Sequence, residues 1–338
     1  MRNVVKILIF TLISLLSFAC NREPLKVNVD DIDVTVSAQR FEKDLFQIDY
    51  KSDLERPRVL YQKYGEFYNL FVHKMLNIPE GSDSVVADNL SKFVSDSEVR
   101  DIYRLTDSAY KSVDDINSGM ELFLKHHKYY FPDKALPSVV TYISAFNYAV
   151  ITTDSVIGIG LDMFLGPQIE YYPRLGVPRY LFTKFSREYI VPSAIKAWFQ
   201  SDYDQGAVKN ELLSQMVYQG KLLYYIQAMA PDLADTLRTG YTAEQLKWCE
   251  ANEANIWSFF IENKLLFNSD PAEFSKFVND GPATNGFPKE APGKIGAWVG
   301  LKIVNAYMKN NDKISLQELL LEKDAQKILE DSKYKPKK

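Results

Sequence analysis

Cysteine and histidine are scarce in this 338-residue chain: two Cys, at 20 and 249, and three His, at 73, 126 and 127. If Cys20 is modified, no intramolecular disulfide is available, so stability must come from the core. Cys249 reads as a small buried hydrophobe. No excess of positive charge exists: the formal net charge is −4. Discounting the first 19 residues removes Arg2 and Lys6 and leaves 38 basic against 44 acidic groups, which gives a nucleic-acid role no support. Internal repeats and low-complexity segments are lacking. So are a G-x-S-x-G elbow, a calcium loop and a Gly-rich phosphate loop in a strand-to-helix frame. "GIGLDMFLG" fails as a dinucleotide fingerprint because Met163 stands where a third Gly belongs. "GFPKEAPGKIGAWVG" fails as a phosphate loop because no strand precedes it.

What is present is an ordinary globular composition, 46% hydrophobic and 25% charged, rich in Tyr (21) and Phe (20). The N-terminus "MRNVVKILIFTLISLLSFAC" has a basic start, an apolar run from Ile7 to Phe18, and Ala19 before Cys20. The run is too short to span a bilayer and reads as a secretion signal, residues 1–19. A Cys at that point is the acceptor for a diacylglycerol, although Ser17 holds the place where a lipoprotein signal usually carries Leu. Acyl chains contribute about 0.8 kcal/mol per buried methylene, enough for several together to hold a soluble domain on a membrane. "CNREPL" carries no dense acidic cluster, which favours the periplasmic side over surface display.

The expected fold class is α+β, mostly helical, with a small antiparallel sheet. Residues 20–36 read as a lipidated tether, with "VNVDDIDVTV" as an edge strand, and 37–135 as a helical region broken at Pro79-Glu80-Gly81. Residues 136–322 form the α+β region. It begins with three strands in "SVVTYIS", "YAVITTD" and "VIGIGLDMFLG", followed by helices near 179–185, 188–200, 207–229, 242–263 and 292–310. Residues 323–338 read as a frayed basic tail. Thr242 and Gln245 make a capping box. Pro292 suits a first helical turn, while Gly296 and Gly300, one turn apart, predict close backbone packing.

The 207–229 segment contains Gln215, Met216 and Gln219, the spacing of a zinc-peptidase H-E-x-x-H helix with every chemical group exchanged. Wound at 100° per residue, it predicts a wet side of Asn210, Val217, Lys221 and Tyr224. The opposite, buried side carries Leu212, Gln215, Gln219, Leu222 and Ile226. Zinc hydrolysis needs two imidazoles one turn apart and a Glu to take the proton from water; Gln is a weak ligand and Met accepts no proton. His126 and His127 lie near a helix end, where a cation favours the terminal carbonyls. Glu253, on an apolar helix face, is either paired or neutral. A carboxylate hydrolase pairing Glu253 with Asp162 is a further option.

Several blocks taken together resemble the GldB family of gliding-motility lipoproteins: "PSVVTYISAFNYAVITTDSVIGIGLDMFLG", "REYIVPSAIKAWF", "LLSQMVYQGKLLYY", "GYTAEQLKWCEANEANIWSFFIENKLL" and "NDGPATNGFPKEAPGKIGAWVGLKIVNAYM". The resemblance implies a membrane-anchored, non-cytoplasmic protein that serves gliding alongside other gliding-machinery proteins, in a system tied to type IX secretion. It also implies a distant, degenerate zincin-like core, in which Gln215 and Gln219 occupy the His places, Met216 the Glu place and Glu253 the third-ligand place. On that basis hydrolysis is lost, no metal is bound, and the only attached group is a covalent lipid on Cys20. The expected function is a non-catalytic structural or assembly part. The alternative is a periplasmic pseudo-peptidase whose cleft, lined by Tyr218, Tyr225 and Asp162, still binds peptide or glycan.

Overall fold

The computed structural model describes residues 25–47, 55–204 and 208–336. The signal segment and Cys20 lie outside the described residues. In chain order, β1 (Gln39–Arg40) leads into α1 (Phe41–Phe46), then α2 (Arg56–Asn69), α3 (Asp83–Ser95), α4 (Ser97–Ala109) and α5 (Asp114–Tyr130). The strands β2 (Ser138–Tyr142), β3 (Val150–Thr152) and β4 (Val156–Gly160) follow. After three short 3-10 turns and a one-turn helix (Tyr171–Arg174) come α6 (Ile190–Asp202), α7 (Leu212–Met229) and, past a short helical turn (Asp235–Thr239), α8 (Ala243–Ala251), α9 (Glu253–Glu262), α10 (Pro271–Val278), α11 (Ile295–Asn310), α12 (Leu316–Leu321) and α13 (Ala325–Ser332).

The sheet is mixed and open, not antiparallel. Its order is β1-β2-β4-β3, with β1 and β4 both parallel to β2 and only β3 antiparallel to β4. A tight turn, closed by Thr153 N–H donating to Val156 O at 2.9 Å, folds β4 back between β3 and β2. Alternation of apolar residues marks strands but is blind to which neighbour each one takes, so this order was hidden in the sequence.

The two sheet faces serve two cores. Val139, Ile157 and Ile159 enter the larger core with helices α5 to α13, while Val140, Tyr142 and Val156 meet α1, α2 and α3. Packing therefore runs across residue 136, because α5 sits with the C-terminal helices and β2 contributes to both sides. The glycines of β4 fit this arrangement. A Cβ at Gly158 would lie 3.0 Å from the Phe67 ring, and one at Gly160 would lie 2.1 Å from the Tyr148 carbonyl oxygen. "GIG" is thus the imprint of aromatic and backbone packing on a strand.

"VNVDDIDVTV" forms no strand. Its last donor, Val36 N–H, goes to Glu121 Oε2 of α5 at 3.4 Å, and just beyond it Ala38 N–H goes to Asn117 Oδ1 of α5 at 2.9 Å. Only Gln39 and Arg40 pair with the sheet. Buried Glu42 ties this edge down, accepting from Arg40 Nε at 2.5 Å and from Thr141 Oγ1 at 2.8 Å.

Helix α7 is the centre of the larger core. Every residue from Leu212 to Met229 is buried except Gln219 and Gln227, which are half-buried. The expected wet face does not exist: Val217, Lys221 and Tyr224 are all buried. A helix that is apolar nearly all round belongs inside a core rather than on its surface. It crosses α11 at backbone distance. A Cβ at Gly220 would lie 2.3 Å from the carbonyl of Gly300, and one at Gly300 would lie 1.8 Å from the carbonyl oxygen of Met216. The close approach expected of Gly296 and Gly300 is real, and α7 is what approaches.

Three further expectations change. The 242–263 helix is two helices, α8 and α9, parted at Asn252; the Thr242–Gln245 capping box is present at the start of α8. Helix α11 begins at Ile295, so Pro292 precedes it instead of opening it. The C-terminal segment is docked rather than frayed: Asp324 caps α13, Ile328 is buried, and Tyr334 packs on Trp257 with ring centroids 5.3 Å apart.

Gly300→Ala tests the crossing. Alanine favours a helix by about 1 kcal/mol over glycine, yet the overpacked contact should lower stability by about 2 kcal/mol or more. Urea unfolding reads the sign; a stabilised variant would contradict the contact.

Candidate functional site

The peptidase-spaced residues Gln215, Met216 and Gln219 do not share one environment. Gln215 is buried, with Nε2 at 3.5 Å from the Lys209 carbonyl oxygen, whereas Gln219 is half-buried. Met216 is fully buried in the helix crossing: a Cβ at Gly296 would lie 3.1 Å from its Cγ. The position where a peptidase keeps its base is a packing contact here. Glu253 is buried and accepts from the Tyr334 hydroxyl at 2.9 Å, with Lys302 Nζ 3.9 Å away. Its role is to fasten the C-terminal segment onto α9 and α11. Among the described residues, no group of three or more His, Cys, Asp or Glu is placed to hold a metal ion. The Q-M-x-x-Q helix has neither a zinc peptidase's ligands nor its base.

The remaining polar candidates are also structural. His127 is buried and accepts from Trp198 Nε1 at 3.0 Å through Nε2, and burial pushes its pKa down to about 4. It is therefore a neutral imidazole at pH 7, not the helix-end cation expected; desolvation outweighs attraction to the terminal carbonyls. His126 donates through Nδ1 to the Leu122 carbonyl oxygen at 2.9 Å. Asp162 is completely buried and accepts from the backbone N–H groups of Phe146 at 2.7 Å and Ser144 at 3.1 Å. Burial pushes its pKa up to about 7. The turn it fastens holds Ala145 and Phe146 at φ 52° and 63°, a left-handed pair uncommon for residues with side chains. Asp162 and Glu253 thus bond to different parts of the fold and form no acid–base pair. Tyr225 is buried in the aromatic core, 5.4 Å from Phe199 between ring centroids.

Tyr218 does border a cleft, of about 580 Å³, between α7, the end of α6 and the α12–α13 connection. Ser214, Val217, Tyr218 and Lys221 follow one another at helical spacings of three and four, so one face of α7 forms its wall. Phe199, Tyr203 and Leu320 make much of the rest apolar. Tyr218 is held by its hydroxyl donating to the Tyr203 carbonyl oxygen at 2.9 Å. Lys221 donates to the Glu322 carbonyl oxygen, and burial pushes its pKa down to about 8, leaving it charged at neutral pH. Ser214 donates to Glu211 Oε1 at 3.0 Å, and Glu211 pairs with Lys209 at 2.6 Å. Seven residues of helix rise separate Ser214 from Lys221, about 10.5 Å, too far for a nucleophile–base pair. The cleft can hold an apolar or aromatic group beside one fixed cation. The charge of Lys221 points to solvent; the better signal is the apolar run Leu222 to Ile226 that follows it.

A family model described as Gliding motility protein GldB matches residues 22–336. The chain belongs to the GldB family. The match runs through both cores, the sheet and the docked C-terminus, so GldB membership describes the whole fold and not one motif. No curated protein and no solved structure matches the chain. Among the described residues, no helix is long and apolar enough to cross a membrane.

Met216→Glu separates a lapsed catalytic position from a packing position. A carboxylate forced into the α7–α11 contact should cost about 3 kcal/mol or more, while Gln219→Glu, half-buried, should be close to neutral. Thermal unfolding of both variants decides; equal stability would show that Met216 is not enclosed by the crossing.

Proposed function

We propose that this GldB-family chain is a lipid-anchored, non-catalytic part of the gliding apparatus. Cys20 carries the anchor, and the folded body, facing the periplasm, serves as a structural or assembly element beside the other gliding and type IX secretion proteins. The observation that carries this reading is the family match over residues 22–336, together with the packing of Met216, at the peptidase base position, into the α7–α11 crossing. In this reading the Q-M-x-x-Q spacing is what remains of a zincin-like helix whose catalytic places have become core. A second reading, retention of a peptide or glycan in the Tyr218 cleft, draws on the cleft's aromatic and apolar wall.

Complementation of a strain lacking the chain tests the proposal. Cys20→Ala should lose acyl labelling and membrane retention and fail to restore spreading over surfaces, while Gln219→Ala should restore it fully. Full motility from an unlipidated Cys20→Ala protein would refute the anchor. Loss of motility in a folded, membrane-bound Gln219→Ala protein would refute the non-catalytic reading.

A further inference from the structure

Outside the cleft, two lysines from separate segments, Lys184 and Lys294, meet one carboxylate, and a third, Lys196, lies within electrostatic reach of it. Lys184 Nζ lies 2.7 Å and Lys294 Nζ 3.1 Å from the same oxygen, Asp280 Oδ1. Lys196, on α6, is close enough for its charge to act on both Asp280 and Lys294. Each ammonium has three donors. Among the described residues, Asp280 Oδ1 is the one acceptor recorded for Lys184 and Lys294, and Lys196 has no ion pair or hydrogen bond. Cations outnumber anions three to one at a place where the Lys294 side chain is only 15% exposed.

The surrounding backbone is built to hold this arrangement. Gly293 abuts Gly281 so closely that a Cβ would lie 2.1 Å from the Gly281 carbonyl oxygen, which pins the residues flanking Asp280 and Lys294 together. Thr284, buried, donates to the Pro292 carbonyl oxygen at 2.6 Å and accepts from Ile295 N–H at 3.3 Å. Lys294 itself has φ 48°, a left-handed conformation that a residue with a side chain adopts at a cost, and its carbonyl oxygen accepts from the Tyr241 hydroxyl at 3.1 Å. Gly240, at φ 74°, leaves room for the Lys184 stem, whose Cε would lie 3.0 Å from a Cβ there. Burial, with repulsion from Lys184 and Lys196, brings the Lys294 pKa down to about 8 in spite of Asp280. One carboxylate does not compensate three ammoniums, and the strained loop keeps them together regardless.

We propose that Lys184, Lys196 and Lys294 form a binding site for a phosphate-class oxyanion, which competes with Asp280 for two of the three cations. The cluster contains lysines and no arginine. Ammoniums act as point charges that suit a tetrahedral oxyanion approached from several sides, whereas a planar carboxylate is better matched by a bidentate guanidinium. The site owes nothing to a Gly-rich strand-to-helix loop, which is why motif reading passes over it. It is independent of the Tyr218 cleft and of the non-catalytic reading.

Titration calorimetry with inorganic phosphate, at fixed pH and ionic strength on the unlipidated Cys20→Ser chain, tests the site. Saturable binding of one phosphate is expected, weakened at least about tenfold in Lys196→Met and tightened in Asp280→Asn, which removes the competing carboxylate. Should Asp280→Asn fail to fold, Lys196→Met still decides, because removing one cation relieves repulsion and keeps the hydrophobic stem. No saturable heat, or equal affinity in the wild type and Lys196→Met, overturns the proposal. Phosphatidic acid vesicles identify the source: phosphate-competed binding to them points to a lipid headgroup, and phosphate binding without vesicle binding points to a soluble phosphate ester.

Discussion

The close passage of α7 across α11 is the contact on which the rest of the structure depends. Gly220 and Gly300 let the two backbones meet, and nothing larger than hydrogen fits between the Gly300 Cα and the Met216 carbonyl. With α11 so close, the Met216 side of α7 is sealed by backbone, and α5, α6, α10 and α13 pack around much of the rest. Only the Ser214–Lys221 face borders the cleft, so the Met216 position presents no catalytic group. That constraint, more than the loss of any one ligand, removes hydrolytic chemistry from the Q-M-x-x-Q segment.

Polar groups caught in this core show how such burial is tolerated. His127 is neutral and accepts from Trp198, Glu253 accepts from Tyr334, and Lys221 donates to a backbone carbonyl at the cleft wall. Each satisfies part of its hydrogen-bonding capacity within the protein, as buried polar groups must. Each also joins distant segments: α5 to α6, α9 to the C-terminus, and α7 to the α12–α13 connection. Side chains that look like chemistry in the sequence serve here as cross-links, and the docked C-terminus is their clearest product.

Local signals in the sequence proved legible, and long-range ones did not. The capping box at Thr242, the close-packing glycines of α11 and the break before α3 could all be read from neighbours along the chain. Sheet order could not, because Val139 and Ile157 alternate identically whether their strands run parallel or antiparallel. The N-terminal Val-rich segment looked like a strand, yet the N–H groups of Val36 at its end and Ala38 just beyond it found Glu121 and Asn117 instead. The charge of Lys221 points to solvent, although its helical neighbours Val217, Leu222 and Tyr225 are apolar or aromatic. The lysine cluster was invisible for a different reason: Lys184, Lys196 and Lys294 meet only once α6, the 3-10 turn before it and the loop before α11 are folded together.

Native-state hydrogen exchange of the α7 amides measures the central claim most directly. If α7 is the enclosed core helix of this GldB-family fold, its amides from Met216 to Ile226 should exchange only through global unfolding, with protection equal to the unfolding free energy and the same denaturant dependence. Exchange of that stretch by a local opening, at a free energy well below global unfolding, would show α7 to be a mobile wall of a working cleft and would contradict the account.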